Sequence, residues 1–213
     1  MRKKTRALYW ILALIGLLQL PYFIPAGTRS LMEWQRENLN WNYIGIAANY
    51  FLFAIYAGWS GKNLGCFGVH AGLWKQWIRW YALLTGLFLF TTRGIAFFTE
   101  GPLGFQIPLW TTVFFQLIYV AFGEELFWRG FIQSEFGIWI ASIGFGFIHF
   151  LPGVVWHVML GADFNMLWGL GQMIFAIAIG FLFGWVRNKT DSVYACVLLH
   201  GIYNLSNHLF VPL

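Results

Sequence analysis

In the stretch GEELFWRGFIQ, Gly123 to Gln133, Glu124, Glu125 and Arg129 carry charge inside a run otherwise dominated by Phe, Leu, Ile and Trp. An ionised carboxylate in hydrocarbon costs at least a few kcal/mol, so two in succession must face protein, water or a partner. On a helix Glu125 and Arg129 are one turn apart and share a face, while Glu124 points about 100° away and is not served by that arginine. Two adjacent glutamates then have different surroundings and different tasks. Two more polar positions interrupt apolar runs: His149, which ends FGFIH with Phe145 one turn before it, and His200, which opens HGIYN with Asn204 one turn after it. A buried carboxylate beside an imidazole can take a proton from water, and an imidazole with an amide can donate hydrogen bonds to a developing oxyanion. That inventory suits acyl transfer to water, above all hydrolysis of a peptide bond.

The elements that would position these groups are membrane helices. The 213 residues are 59% hydrophobic and 21% aromatic with only 10% charged, where soluble domains carry about a quarter charged residues. Runs of about 20 apolar residues, enough to cross ~30 Å of hydrocarbon, recur from end to end. Seven spans are expected: Ala7 to Ala26, Trp41 to Trp59, Trp77 to Phe98, Ile107 to Arg129, Ile138 to Met159, Phe164 to Val186 and Ser192 to Phe210. The expected fold is an all-α polytopic transmembrane bundle of about seven to eight helices in one integral membrane domain, residues 1–213. Within it, residues 107–211 form the catalytic core and residues 1–106 the accessory N-terminal helices.

With the N-terminus inside, ten of the thirteen basic residues fall on the inner side, leaving Arg29, Arg36 and Arg93 outside. Basic loops resist translocation, so this bias sets a cytoplasmic N-terminus and an outward C-terminus. The net charge of +5 then reflects topology and anionic lipid, with no basic stripe suited to nucleic acid. Counting ~1.5 Å per residue from the inner ends puts Glu124 at roughly 14 Å, His149 at about 16 Å and His200 at about 12 Å, with Asn204 one turn above His200. Three helices can therefore enclose one wet pocket in the inner leaflet.

The remaining polar residues fit blander roles. Gly27 to Asn40 reads as a short helix in the outer interface and a connector, His70 as a solvated loop group, and His157, Asp163 and His208 as interfacial groups at outer helix ends. Cys66 and Cys196 are expected as free thiols, in an inner loop and the inner half of the last helix. No Ser sits in a G-x-S-x-G setting, and Cys196 reads as packing. No metal or other cofactor is expected. H-E-x-x-H and the E-x-x-H pairs of di-iron bundles are absent, and Arg129 would oppose a nearby cation. Repeats that mark many transporters are not visible, which weighs against a proton-coupled carrier using Glu124 as a relay.

EELFWR, FGFIH and HGIYN resemble, in order, the E-E-x-x-x-R, F-x-x-x-H and H-x-x-x-N motifs of the CAAX protease and bacteriocin-processing (CPBP, or Abi) family of intramembrane glutamic proteases. The resemblance covers Gly123 to Asn204. It implies that Glu124 and His149 activate water, that His200 and Asn204 stabilise the oxyanion, and that Glu125 and Arg129 organise the site or position substrate. It implies a membrane-associated protein or peptide as substrate, cut near its C-terminus or membrane segment, and about eight helices. The short loops suggest a prokaryotic cytoplasmic membrane. A non-proteolytic scaffold or bacteriocin-immunity-type protein of the same family is the alternative. Oligomeric state is not legible.

Overall fold

The computed structural model describes residues 42–160 and 163–212, so the expected first span and the interfacial connector lie outside the described residues. Helix α1 is Asn42–Ser60 and α2 is Ile78–Glu100. Between them run two short 3-10 turns, Leu64–Phe67 and Trp74–Trp77. Strand β1 is Leu103–Phe105, followed by a continuous helix α3 over residues 110–132. Helices α4 (Gln133–Leu160), α5 (Met166–Thr190) and α6 (Val193–Leu209) follow, and β2 (Phe210–Pro212) pairs antiparallel with β1. The protein is an all-α membrane bundle, to which the structure adds a two-stranded ribbon that the sequence did not suggest.

Among the described residues three stretches are long and apolar enough to cross a bilayer: Trp80–Glu100, Trp110–Leu151 and Met166–Thr190. The second has 42 residues; as a straight helix it would run roughly 60 Å, twice the hydrocarbon thickness. It folds into a hairpin because Gly137 adopts φ 86° and ψ 169°, a region open essentially to glycine alone. The break falls between the expected spans Ile107 to Arg129 and Ile138 to Met159. It sends α4 back along α3 and lays it against α5. Along that contact Gly146 and Gly180 let backbone and side chains of the facing helix approach within van der Waals distance, the small-residue packing of helices in lipid.

The two ends of the bundle are knitted differently. At one end the loop after α1 docks on the α5–α6 turn: Val193 N–H donates to Gly68 O at 2.9 Å, Leu73 N–H to Thr190 O at 2.6 Å, and Ser192 Oγ to His70 O at 2.6 Å. Lys62 ties the same loop to Glu135 of the α3–α4 turn, and this hydrogen bond holds its ammonium above the ordinary lysine range. Arg187 closes α5 through Asp191 at 2.9 Å, a cation where the helix dipole favours one. At the other end β1 and β2 join the start of α3 to the end of α6, with Leu103 opposite Pro212 and Phe105 opposite Phe210. Large exposed apolar side chains such as Phe90, Leu167 and Trp110 are a lipid-facing surface rather than a defect.

Gly137 generates a stability prediction. Gly137→Ala must place a Cβ at positive φ and should cost about 1–3 kcal/mol, read as a lower unfolding midpoint in detergent. Gly171→Ala, on α5 with nothing within 4 Å of an added Cβ, should be neutral or slightly stabilising.

Candidate active site

Helix α3 changes its winding around the two glutamates. Residues Phe115–Ala121 and Leu126–Ile132 are π-helical, with Phe122 N–H reaching back to Leu117 O and Gln133 N–H to Trp128 O. Between them one α-helical turn, Phe122–Glu125, carries the acidic pair. Wide turns of this kind frequently mark functional sites. The upper junction is supported from α1, where the Tyr50 hydroxyl lies 2.6 Å from Ile118 O and 3.2 Å from Tyr119 O. That approach needs Gly123, since a Cβ there would sit 2.5 Å from Tyr50 Cε2.

Glu125 and Arg129 are both fully buried, at 0% exposure. Glu125 Oε2 faces Arg129 Nε at 3.3 Å, and Glu125 Oε1 accepts from His200 Nδ1 at 2.8 Å. The guanidinium lies over the Phe145 ring, 4.9 Å from its centroid, and 6.0 Å from that of Phe183, two faces that attract a cation. Glu124, 9% exposed, points elsewhere. Its Oε2 stands 3.9 Å from His200 Nε2, a charge contact too long to be a hydrogen bond.

The two histidines are oriented through the same atom by different acceptors. His149 Nδ1 donates to Phe145 O at 2.7 Å, so its Nε2 is left with a lone pair when the ring is neutral. His200 Nδ1 donates to a carboxylate instead, which can balance a charged ring whose Nε2–H remains available. Phe145 sits between them: its ring centroid is 4.6 Å from that of His149 and 6.1 Å from that of His200, the latter edge to face.

A cavity of about 710 Å³ is lined by Glu124, His149, His200 and Asn204 together. The four residues singled out from the sequence thus meet at one pocket, while Glu125 and Arg129 lie outside its lining. The pocket continues past Val120, Gln116 and Thr112 on α3 and past Asn207 and His208 on α6, with Ile46 of α1 on its wall. Sequence reasoning missed these residues. Their signal was available as the step of four that links Glu124, Val120, Gln116 and Thr112. His208, expected to be an interfacial group, accepts from Gln116 Nε2 at 3.2 Å within this lining. Phe183 of α5 was also unanticipated; it packs 5.5 Å from the His200 ring and its carbonyl takes the Cys196 thiol at 3.2 Å. Cys66 and Cys196 are both free.

One carboxylate, two imidazoles and an amide thus line a polar pocket inside an all-α membrane bundle. Residues 106–206, just under half of the chain, match the family described as "Type II CAAX prenyl endopeptidase Rce1-like", so this region is similar to the CAAX protease (CPBP) family whose motifs the sequence resembles. It is also similar to the Bacillus subtilis (strain 168) protein printed as "Uncharacterized protein YpbD", at 28% identity over 95 residues, 39% of this chain and 44% of that protein. The chain therefore spans less than half the length of that relative. No solved structure matches it.

The buried triad generates a prediction that separates folding from chemistry. Glu125→Ala strands the Arg129 guanidinium and should cost about 3–5 kcal/mol, seen as loss of monodisperse protein in detergent. Glu125→Leu combined with Arg129→Met removes both charges and should recover most of that loss without restoring the orientation of His200.

Proposed function

We propose that the chain is an intramembrane, metal-independent glutamic endopeptidase that hydrolyses a peptide bond with a water activated by Glu124 and His149. The observation that carries this reading is the single pocket shared by Glu124, His149, His200 and Asn204. In the proposed reaction a water held between Glu124 and His149 Nε2 gives up a proton as its oxygen attacks the scissile carbonyl carbon. The carbonyl oxygen becomes an oxyanion that accepts from His200 Nε2–H and the Asn204 amide. Collapse breaks the C–N bond, and the proton taken from water passes to the leaving amine, so one water is consumed and one acid and one amine are released. Glu125 acts on this reaction through His200, and Arg129 through Glu125.

Similarity of residues 106–206 to a CAAX endopeptidase family supports peptidase chemistry and a membrane-associated protein or peptide as substrate, cut near its C-terminus or within a membrane segment. The membrane spans and the family match support an integral membrane protein. We place it in a prokaryotic cytoplasmic membrane with its N-terminus inside, on the strength of its basic loops. Residues 107–211 form the catalytic core in this reading and residues 1–106 are accessory, although α1 supports the core through Tyr50 and Ile46.

The test is cleavage of membrane-peptide libraries by purified protein in water enriched in oxygen-18. One heavy oxygen should enter the new carboxylate of the N-terminal product. Glu124→Gln and His149→Ala should each lower kcat by about 10²–10⁴-fold, with unfolding midpoints near that of the wild type. Cleavage by Glu124→Gln at the wild-type rate would defeat the assignment. A cellular phenotype that persists in Glu124→Gln would favour a scaffold instead.

A further inference from the structure

The pocket has a direction. On α3 its lining runs Glu124, Val120, Gln116, Thr112, toward the N-terminal end of that helix, and on α6 it runs His200, Asn204, Asn207 and His208, toward the C-terminal end. The helices are antiparallel neighbours, so both stripes lead to the same end of the bundle, where β1 pairs with β2. Twelve residues separate Glu124 from Thr112, a depth of roughly 18 Å at the α-helical rise. Toward the opposite end the packing closes: Glu125, Arg129 and Phe183, all at most 1% exposed, lie beyond the reacting groups. Beyond them are the loops that carry Lys62, Lys75 and Cys66 and the α5 end that carries Arg187 and Lys189.

A peptide strand drawn into this well gives up water from its backbone amides, each of which then needs a partner inside the membrane. The walls supply them. The Gln116 amide, the Thr112 hydroxyl, the Asn207 amide and the His208 imidazole line the well above the reacting groups. Gln116 and His208 satisfy one another at 3.2 Å, and Asn207 accepts from Arg93 and also bonds Tyr203; a primary amide has two N–H donors and two acceptor lone pairs, so each of these amides keeps capacity for a further hydrogen bond. From these stripes we infer that an extended peptide reaches Glu124 through the end of the bundle bearing β1 and β2, not from the Cys66 loop. Gln116 and Asn207 hydrogen-bond its backbone on the way. The inference rests on the proposed peptidase reading for the nature of the ligand, whereas the direction of access is a property of the fold.

The two native thiols supply the controls, because Cys66 is exposed at the far end and Cys196 is buried. The probe is a charged methanethiosulfonate, which crosses membranes poorly and needs a wet, ionisable thiol. It is applied to sealed membrane vesicles of either orientation containing the full chain. In wild type one orientation labels Cys66. A Val120→Cys chain with Cys66→Ser should label only in the other orientation, and Gln116→Cys in the same background should behave alike, serving where Val120→Cys fails to fold. Labelling of both new thiols from the Cys66 face, or of neither from either face, would overturn the direction of access. This readout needs no proteolysis, so it stands apart from any failure of the peptidase reading. With a cleaved peptide in hand, Gln116→Leu should raise KM about 5–10-fold and leave kcat within twofold, the size expected for one lost hydrogen bond. A fall in kcat at unchanged KM would overturn the backbone-binding role.

Discussion

A fully buried carboxylate, Glu125, holds the site together because each of its oxygens answers a different neighbour. One accepts from His200 Nδ1 at 2.8 Å and the other faces Arg129 Nε at 3.3 Å. Removing three ionisable groups from water is expensive, and the expense is offset only when the charges meet one another in good geometry. The guanidinium completes its surroundings with aromatic faces, chiefly that of Phe145. Phe145 in turn fixes His149 through its carbonyl. Orientation therefore passes from α3 to α6 through Glu125, and from α3 to α4 through Arg129 and Phe145.

This arrangement differentiates two chemically identical side chains. Both imidazoles spend Nδ1 on an acceptor and turn Nε2 toward the pocket. A backbone carbonyl gives His149 no charge to balance a second proton, whereas Glu125 gives His200 one. In the proposed reaction the first ring accepts a proton and the second donates a hydrogen bond, and the difference comes from the acceptor behind each ring. Glu124 and Glu125 are separated in the same way. Glu125 is committed to His200 by a hydrogen bond and to Arg129 by charge, while Glu124 lines the pocket with Oε2 3.9 Å from His200 Nε2.

Much of this was legible because a membrane makes charge conspicuous. In a chain with 10% charged residues, a Glu–Glu–Arg cluster and two histidines within apolar runs stand out, and helical rise alone brings them to one depth. The pairing of Glu125 with Arg129, and its withholding from Glu124, follows from a step of four. The break at Gly137, near the start of α4, falls in the gap left between the expected spans that end at Arg129 and begin at Ile138. Other features depend on contacts no local pattern encodes. The π turns around Phe122–Glu125 draw on Tyr50 of a helix some 70 positions earlier, and Phe183 approaches His200 only because α5 and α6 pack together. Depth arithmetic also gave a level without a direction, so His208 was read as an interfacial group and Gln116 and Asn207 drew no reading.

The two ends of the bundle divide the labour that a hydrolase inside lipid must perform. At the Cys66 end, side chains and loop backbone close over the buried triad: Ser192 bonds to His70, Leu73 to Thr190 and Val193 to Gly68. Water is kept from the charges whose mutual attraction orients the site, and a low dielectric strengthens that attraction. At the other end the chain must do the reverse, holding α3 and α6 apart enough to leave a cavity while satisfying their terminal backbone groups at the membrane boundary. The ribbon achieves this. Gln106 N–H donates to Leu209 O at 3.0 Å, and Phe105 pairs with Phe210, so the helix ends are joined through extended backbone rather than by filling the space between them. A hydrophobic plug there would stabilise the bundle more, but it would cover the lining that leads down to Glu124.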